Sequence, residues 1–306
     1  RKPEYVGQVG LGMPAALADR VRNADLLLIV GTRLTDTPSA NYTVVEAPRP
    51  KQALIHIHAD PEELGRVYLA DLPINASMPA AAHALANLPA PATVRWADWA
   101  LAARNDYVAH STPHPNTAQR GVDLATVVSH LNETLPENAV IANGAGNYTG
   151  WVHRYYRYRK PATELAPTNG AMGYGLPAAI AAKLQHPDRP VVCFAGDGCF
   201  MMYPQELATA MQFGAALVVI VVNNEMFGTI RMHQEREYPG RVSGTRLSNP
   251  DFIAFAKSFG AHAERVEATE DFPAAFDRAL NAGRAALIEL RTDPLQITPE
   301  ARLQSA

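Results

Sequence analysis

Two apolar runs, PVVCFAG at residues 190–196 and ALVVIVVNN at 216–224, constrain what this chain can fold into more than any other feature. Neither alternates with polar residues as a strand with one wet face would, so both read as strands buried on two faces within a parallel sheet. The stretch 204–213 between them has the length of a helix, and the three pieces make a βαβ unit. The handedness of such units puts both strand C-termini on one edge of the sheet.

The same alternation runs along the rest of the chain and makes it an α/β protein, with parallel sheets covered by helices. Near the start, a short helix is expected over 14–22, strands over 25–30 and 53–58, a turn or helix start at Asp60-Pro61, and an Ala-rich helix over 78–87. Residues 88–117 change texture. Prolines gather at both ends around a Trp-bearing amphipathic piece, which reads as a linker with a connecting helix. From Gly121 the pattern restarts with a helix over 124–134, a strand over 139–143 and a Gly-rich turn. After the central βαβ unit come a helix over 250–259, a strand over 262–266, a helix over 272–282 and a strand over 285–290. The expected organisation is a partial first domain at 1–90, a linker at 91–118, a second domain at 119–295 and a tail at 296–306. The opening RKPEYVGQVGLG is already a Gly-punctuated loop, and on that ground the chain is expected to enter its first domain midway.

Composition removes several function classes. The formal net charge is −3, from interspersed charges with no basic block suited to a nucleic-acid backbone, so no nucleic-acid partner is expected. The longest apolar runs fall far short of the roughly 20 residues that span a bilayer, and no signal-peptide core opens the chain. Only Cys193 and Cys199 are present, too few for a disulfide framework or a Cys-based zinc site, and a reducing cytoplasm fits them.

Chemistry concentrates where the two strands end. GDGCF at 196–200 and NNEMFG at 223–228 sit at the edge where open α/β sheets bind ligands. Asp197 offers an anionic oxygen and Asn224 a neutral one, a donor set for a hard cation such as Mg²⁺ that leaves positions for phosphate and water. Gly196 and Gly198, without Cβ atoms, let backbone N–H groups approach a phosphate, with a helix near Pro204 to add its dipole. Alone, a GDG turn is weak, because Asp-Gly is common in ordinary turns. Paired after 24 intervening residues (199–222) with NN, and with a helix between, it is a specific pattern.

That pattern resembles the acetolactate synthase and pyruvate decarboxylase superfamily of thiamine-diphosphate enzymes, and the resemblance extends over nearly the whole chain. It implies a thiamine-diphosphate-binding fold preceded by a truncated Rossmann-like middle domain. It further implies Asp197, Asn224 and the Met226 carbonyl as Mg²⁺ ligands, and cofactor contacts from the rest of the two loops, Cys199, Phe227 and Gly228 among them. For Cys199, a thiol being a weak donor, the backbone N–H is the better candidate. The stretch TNGAMGYGLPAAIAAK resembles the loop that bends the cofactor, with Met172 beneath its rings and the Gly170 carbonyl accepting from its amino group, although ordinary core packing is open to Met172 as well. NGAGN at 143–147 resembles the second diphosphate contact, through Gly144 and Ala145, and is otherwise a plain β-to-α turn.

The family's chemistry belongs to the cofactor, which adds to the carbonyl of a 2-oxo acid and takes up electrons while CO₂ leaves, with the protein supplying orientation and electrostatics. Its proton relay starts at a glutamate on a pyrimidine-binding domain, which nothing in the 306 residues resembles, so the chain is also open to reading as a cofactor-binding fragment or half-subunit. The complete enzyme is expected as a homodimer or tetramer. In acetolactate synthases the middle domain binds FAD, with Gly31, Arg33 and Asp60 as candidates here beside a purely structural role. His56 and His58, on one side of their strand, read as packing or surface residues. Nine residues after Asn224, where acetolactate synthases resemble one another in a Trp, stands His233, open to an acid/base role or to an exposed helix position. A nicotinamide dehydrogenase is disfavoured, since no G-x-G-x-x-G opens a helix after a strand.

Overall fold

The computed structural model describes residues 2–114 and 120–304, and the chain divides into two compact units with the boundary in sequence between Thr112 and Pro113. Residues 115–118 of the expected linker, the start of the second domain at 119 and the last two residues of the tail lie outside the described residues.

In the first unit the order is α1 (Ala15–Asn23), β1 (Leu26–Val30), β2 (Ala53–His58), β3 (Leu72–Asn75), α2 (Met78–Ala86) and α3 (Ala97–His110). The three strands form a parallel sheet in the order β1-β2-β3. Helix α2 starts where Ser77 accepts a hydrogen bond from the Ala80 N–H, with proline in the first turn, where its missing N–H is not needed. The sequence reading puts α3 in a linker, but it is part of this unit. Asp106 on α3 binds Arg20 of α1 at 2.5 Å, and the Arg20 guanidinium lies over the Trp99 ring at 5.4 Å.

The second unit runs α4 (Leu124–Thr134), β4 (Val140–Asn143), α5 (Thr149–Tyr155), β5 (Glu164–Leu165), α6 (Gly175–Gln185), β6 (Val191–Gly196), α7 (Asp197–Phe200), α8 (Leu207–Gln212), β7 (Val218–Asn223), α9 (Gly228–Glu237), α10 (Phe252–Ser258), β8 (His262–Val266), α11 (Phe272–Leu280) and β9 (Ala286–Arg291). Its strands make one six-stranded parallel sheet in the order β5-β4-β6-β7-β9-β8. Alternate residues of each central strand feed two cores. Val192, Phe194, Val218, Ile220 and Ile288 pack with α4, α5 and α11, and Val191, Cys193, Val219, Val221 and Leu287 pack with α6, α8 and α10. Burial on both faces is why β6 and β7 contain no polar alternation.

Several boundaries differ from the sequence reading. The helix α6 grows directly out of GYGLPAAIAAK, whose glycines and proline look like loop. GDGCF closes into the single turn α7, so the first helical N–H groups after β6 belong to Gly198 and its neighbours; the region expected to be a helix from Pro204 is a 3-10 turn followed by the short α8. The tail folds back on itself instead of trailing away, with Gln296 bridging to Arg302 in antiparallel fashion and Ile297 and Leu303 buried.

Candidate functional site

Strands β4 and β6 lie side by side, yet the chain leaves β4 toward β5 and leaves β6 toward β7, on opposite sides. Such a switch point opens a crevice beyond the strand C-termini. The turn after β4 (144–148), α7 after β6 and the 224–228 loop after β7 all stand at that edge.

Asp197 is 2% exposed and accepts three hydrogen bonds. Its Oδ1 accepts from the Gly198 N–H at 2.9 Å, and its Oδ2 from the Glu225 N–H and from Asn249 Nδ2, each at 2.8 Å. Burial raises its pKa above the usual carboxylate value, and these donors pull the other way. Asn224 is half-buried, and its Oδ1 accepts from the Met226 N–H at 3.2 Å. Between Asn224 and Met226 stands Glu225, with φ +59, in the left-handed region. The loop is held from outside by residues 245–247, since the Phe227 N–H donates to the Thr245 carbonyl and the Leu247 N–H to the Glu225 carbonyl, each at 2.8 Å.

Among the described residues no group of three or more His, Cys, Asp or Glu could hold a metal ion. One carboxylate, one amide and one carbonyl form an all-oxygen set of another kind, and such a set fits Mg²⁺ completed by phosphate and water. Close packing of the loops at this edge needs missing side chains. A Cβ on Gly198 would stand 2.5 Å from Phe227 Cε1, and one on Gly175 would stand 2.9 Å from the Gly144 N. Gly170, at φ +69, has nothing within 4 Å of a Cβ position and faces open space.

The other sequence candidates fall in different surroundings. Gly144, Ala145 and Gly196 line the same edge, Gly144 buried and the other two half-buried. Met172 is half-buried against the core that holds Tyr148 and Cys199. Cys199 turns its Sγ inward, where it accepts from the Gly173 N–H at 3.2 Å and the Tyr148 hydroxyl at 3.5 Å. Gly228 opens α9, and a Cβ there would meet Ile297 Cδ1 at 3.2 Å and Asn224 Nδ2 at 3.3 Å. His233 is exposed on α9 and its Nδ1 accepts from Arg236 Nη2 at 3.0 Å.

In the first unit, a Cβ on Gly31 would stand 2.6 Å from Met78 Sδ, so Gly31 makes room for α2. Asp60 Oδ1 accepts from the Glu62 N–H at 3.0 Å, and Arg33 is exposed. His56, read as a packing or surface residue, is buried with Nε2 2.9 Å from the Thr32 carbonyl, and its ring meets that of His58 edge-on at 6.1 Å.

Residues 144–290 match the family model for the thiamine pyrophosphate enzyme, C-terminal TPP binding domain, and residues 1–85 match that for the thiamine pyrophosphate enzyme, central domain. The chain belongs to the thiamine pyrophosphate enzyme family. Its sequence is 28% identical over 298 residues to the acetolactate synthase isozyme 2 large subunit of Escherichia coli K12, an alignment covering 96% of this chain and 52% of that protein. It is 31% identical over 280 residues to acetolactate synthase of Mycobacterium leprae, covering 88% of this chain and 44% of the other. The chain spans about half the length of the curated relatives it matches. Within this family the six-stranded sheet is the TPP-binding domain, and its C-terminal edge carries Asp197 and Asn224. No described helix is long and apolar enough to cross a membrane.

Residues given no site role from the sequence also enter the site. Asn249 arrives from 52 residues beyond Asp197 in sequence. Asn223 is buried as the last residue of β7, and Glu289 is a carboxylate inside the apolar strand β9. The acid in ALIELR was the one available pointer, since a charge in a doubly buried strand must have a partner.

Proposed function

We propose that this chain holds the diphosphate and Mg²⁺ of thiamine diphosphate in an acetolactate synthase-like decarboxylase or carboligase of 2-oxo acids. The single observation that carries the reading is the placement of Asp197 and Asn224 on loops from adjoining parallel strands, beside the switch point between β4 and β6. Asp197, Asn224 and the Met226 carbonyl would hold the metal, and the backbone N–H groups of Ala145 and Cys199 would take the diphosphate, those of Gly144 and Gly198 being bonded already to the Phe194 carbonyl and to Asp197 Oδ1. Met172 would support the cofactor rings. When bound, the cofactor supplies the electron sink that a 2-oxo acid needs to lose CO₂. The protein's part is to fix that group rigidly against a buried, two-faced sheet.

The expected result in calorimetry is Mg²⁺-dependent binding of thiamine diphosphate to the wild-type chain and none to Asp197→Ala. Equal affinity in the variant overturns the reading.

Turnover needs in addition a proton relay, which the resemblance assigns to a glutamate on a pyrimidine-binding domain, and the relatives extend well beyond the region they share with this chain. We infer that activity requires such a domain, of the same or another chain, in a homodimer or tetramer. Decarboxylation of pyruvate by the 306 residues alone, given thiamine diphosphate and Mg²⁺, contradicts this. FAD in the first unit has weaker support, because Gly31 and Asp60 already serve packing and capping; a flavin-binding titration decides it.

A further inference from the structure

Behind Asp197 a line of polar side chains runs through the sheet to a buried carboxylate on β9. We propose that Asn249 is a positioning residue for the Asp197 carboxylate, and that Asn223 and Glu289 fix which way its amide points. The proposal rests on reading Asp197 and Asn224 as the metal-holding pair.

A carboxylate has about four acceptor sites. On Asp197, Oδ2 takes two hydrogen bonds, from the Glu225 N–H and Asn249 Nδ2, whereas Oδ1 takes only the Gly198 N–H. Oδ2 is thereby filled, and Oδ1 keeps the free site. Asn249 thus fixes which oxygen faces outward.

An asparagine can turn its amide over and present oxygen where nitrogen stood, and only its neighbours decide between the two. Here the decision starts at Glu289, which is 1% exposed. Glu289 Oε1 accepts from Asn223 Nδ2 at 2.7 Å, and a carboxylate has no proton to give. Asn223 must therefore aim its Oδ1 the other way, where it meets Asn249 Nδ2 at 3.0 Å and the Glu225 N–H at 3.1 Å. Asn249 in turn can meet both Asn223 and Asp197 only with its NH₂ group. Arg265 Nε at 2.8 Å from Oε2 and Arg291 Nη1 at 3.5 Å from Oε1 give Glu289 its countercharge. The 245–247 segment, tied to the 224–228 loop by backbone hydrogen bonds, brings Asn249 to its place.

Groups that orient a metal ligand from behind typically change metal affinity by about 10- to 100-fold when lost. Mn²⁺ in place of Mg²⁺ allows a direct readout. With thiamine diphosphate saturating, Mn²⁺ is titrated into the 306-residue chain, with paramagnetic resonance reporting free ion and the spectrum of bound ion. Asn249→Ala is expected to weaken Mn²⁺ by about 10- to 100-fold and to alter the bound spectrum. Asn249→Asp, the same shape with an acceptor facing Asp197 Oδ2, is expected to weaken it further. Leu131→Ala, a core truncation in α4, is the stability control: it lowers the melting point yet leaves the Mn²⁺ affinity of the folded chain unchanged. Wild-type affinity in Asn249→Ala or Asn249→Asp, with binding abolished in Asp197→Ala, overturns the positioning role alone. Absence of Mn²⁺ binding by the wild type, or its survival in Asp197→Ala, overturns the metal site itself and this proposal with it.

Discussion

A Cβ placed on Gly144 would stand 2.2 Å from the Sγ of Cys199 and 3.2 Å from the Tyr148 hydroxyl. The same sulfur accepts the Gly173 N–H, so the turn after β4, the Met172 loop and the turn after β6 all converge on one buried thiol. Gly144→Ala is expected to push these loops apart at a cost of about 1–3 kcal/mol, as overpacking does elsewhere. Adding Cys199→Ala removes the obstructing atom and is expected to restore part of the loss. Denaturant unfolding of the two single variants and the double variant tests this, and additive effects would contradict the contact.

How much of this convergence can be read beforehand depends on how local each part is. Strands β6 and β7 are legible because burial on two faces leaves an unbroken run of apolar residues, and the loops at their ends follow from that. Helices α5 and α6 are not, since their sequences TGWVHRY and GLPAAIAAKLQ carry a glycine or proline in the first turn, where a helix tolerates them and a reader sees a loop. Asn249 is invisible for another reason. It acts on Asp197 through a single hydrogen bond across 52 residues of sequence, and no spacing rule covers such a distance.

His130 on α4 lies edge-on to Phe272 at 5.7 Å and to Phe276 at 6.0 Å. Burial there lowers its pKa from the usual 6.5, with Glu133 opposing. The neutral ring is favoured in the fold, so below about pH 6.5 the unfolded chain binds more protons and stability falls as pH drops through the folded value. His153, lowered by burial beside Glu164, acts in the same direction. His130→Leu is expected to flatten part of the acid limb when melting is followed from pH 7 to 5; an unchanged slope would assign the limb to other groups.

His233 accepts a hydrogen bond at Nδ1 from Arg236, which leaves Nε2 to carry the proton of the neutral ring. An exposed helix residue away from core contacts changes stability little when replaced, within about 0.5 kcal/mol. His233→Ala is therefore expected to leave unfolding and thiamine diphosphate affinity as they are. If the imidazole moves a proton during turnover, the variant alters the pH profile of kcat in the holoenzyme, and an identical profile removes that role.

Met172 separates packing from cofactor support. It is half-buried at the margin of a core whose centre includes the fully buried Ile220. Truncating Ile220 to alanine is expected to cost about 2–5 kcal/mol, whereas Met172→Ala, with less surface to lose and no closed cavity to leave, should cost about 1–2 kcal/mol. A side chain that only packs would change stability and nothing else. One that bears the cofactor rings loses affinity or turnover out of proportion to that small cost, and Met172→Leu, which keeps volume and apolarity, recovers most of it. Measuring melting and thiamine diphosphate binding on both variants decides the matter. A Met172→Ala chain that binds the cofactor as the wild type does would return this residue to the core.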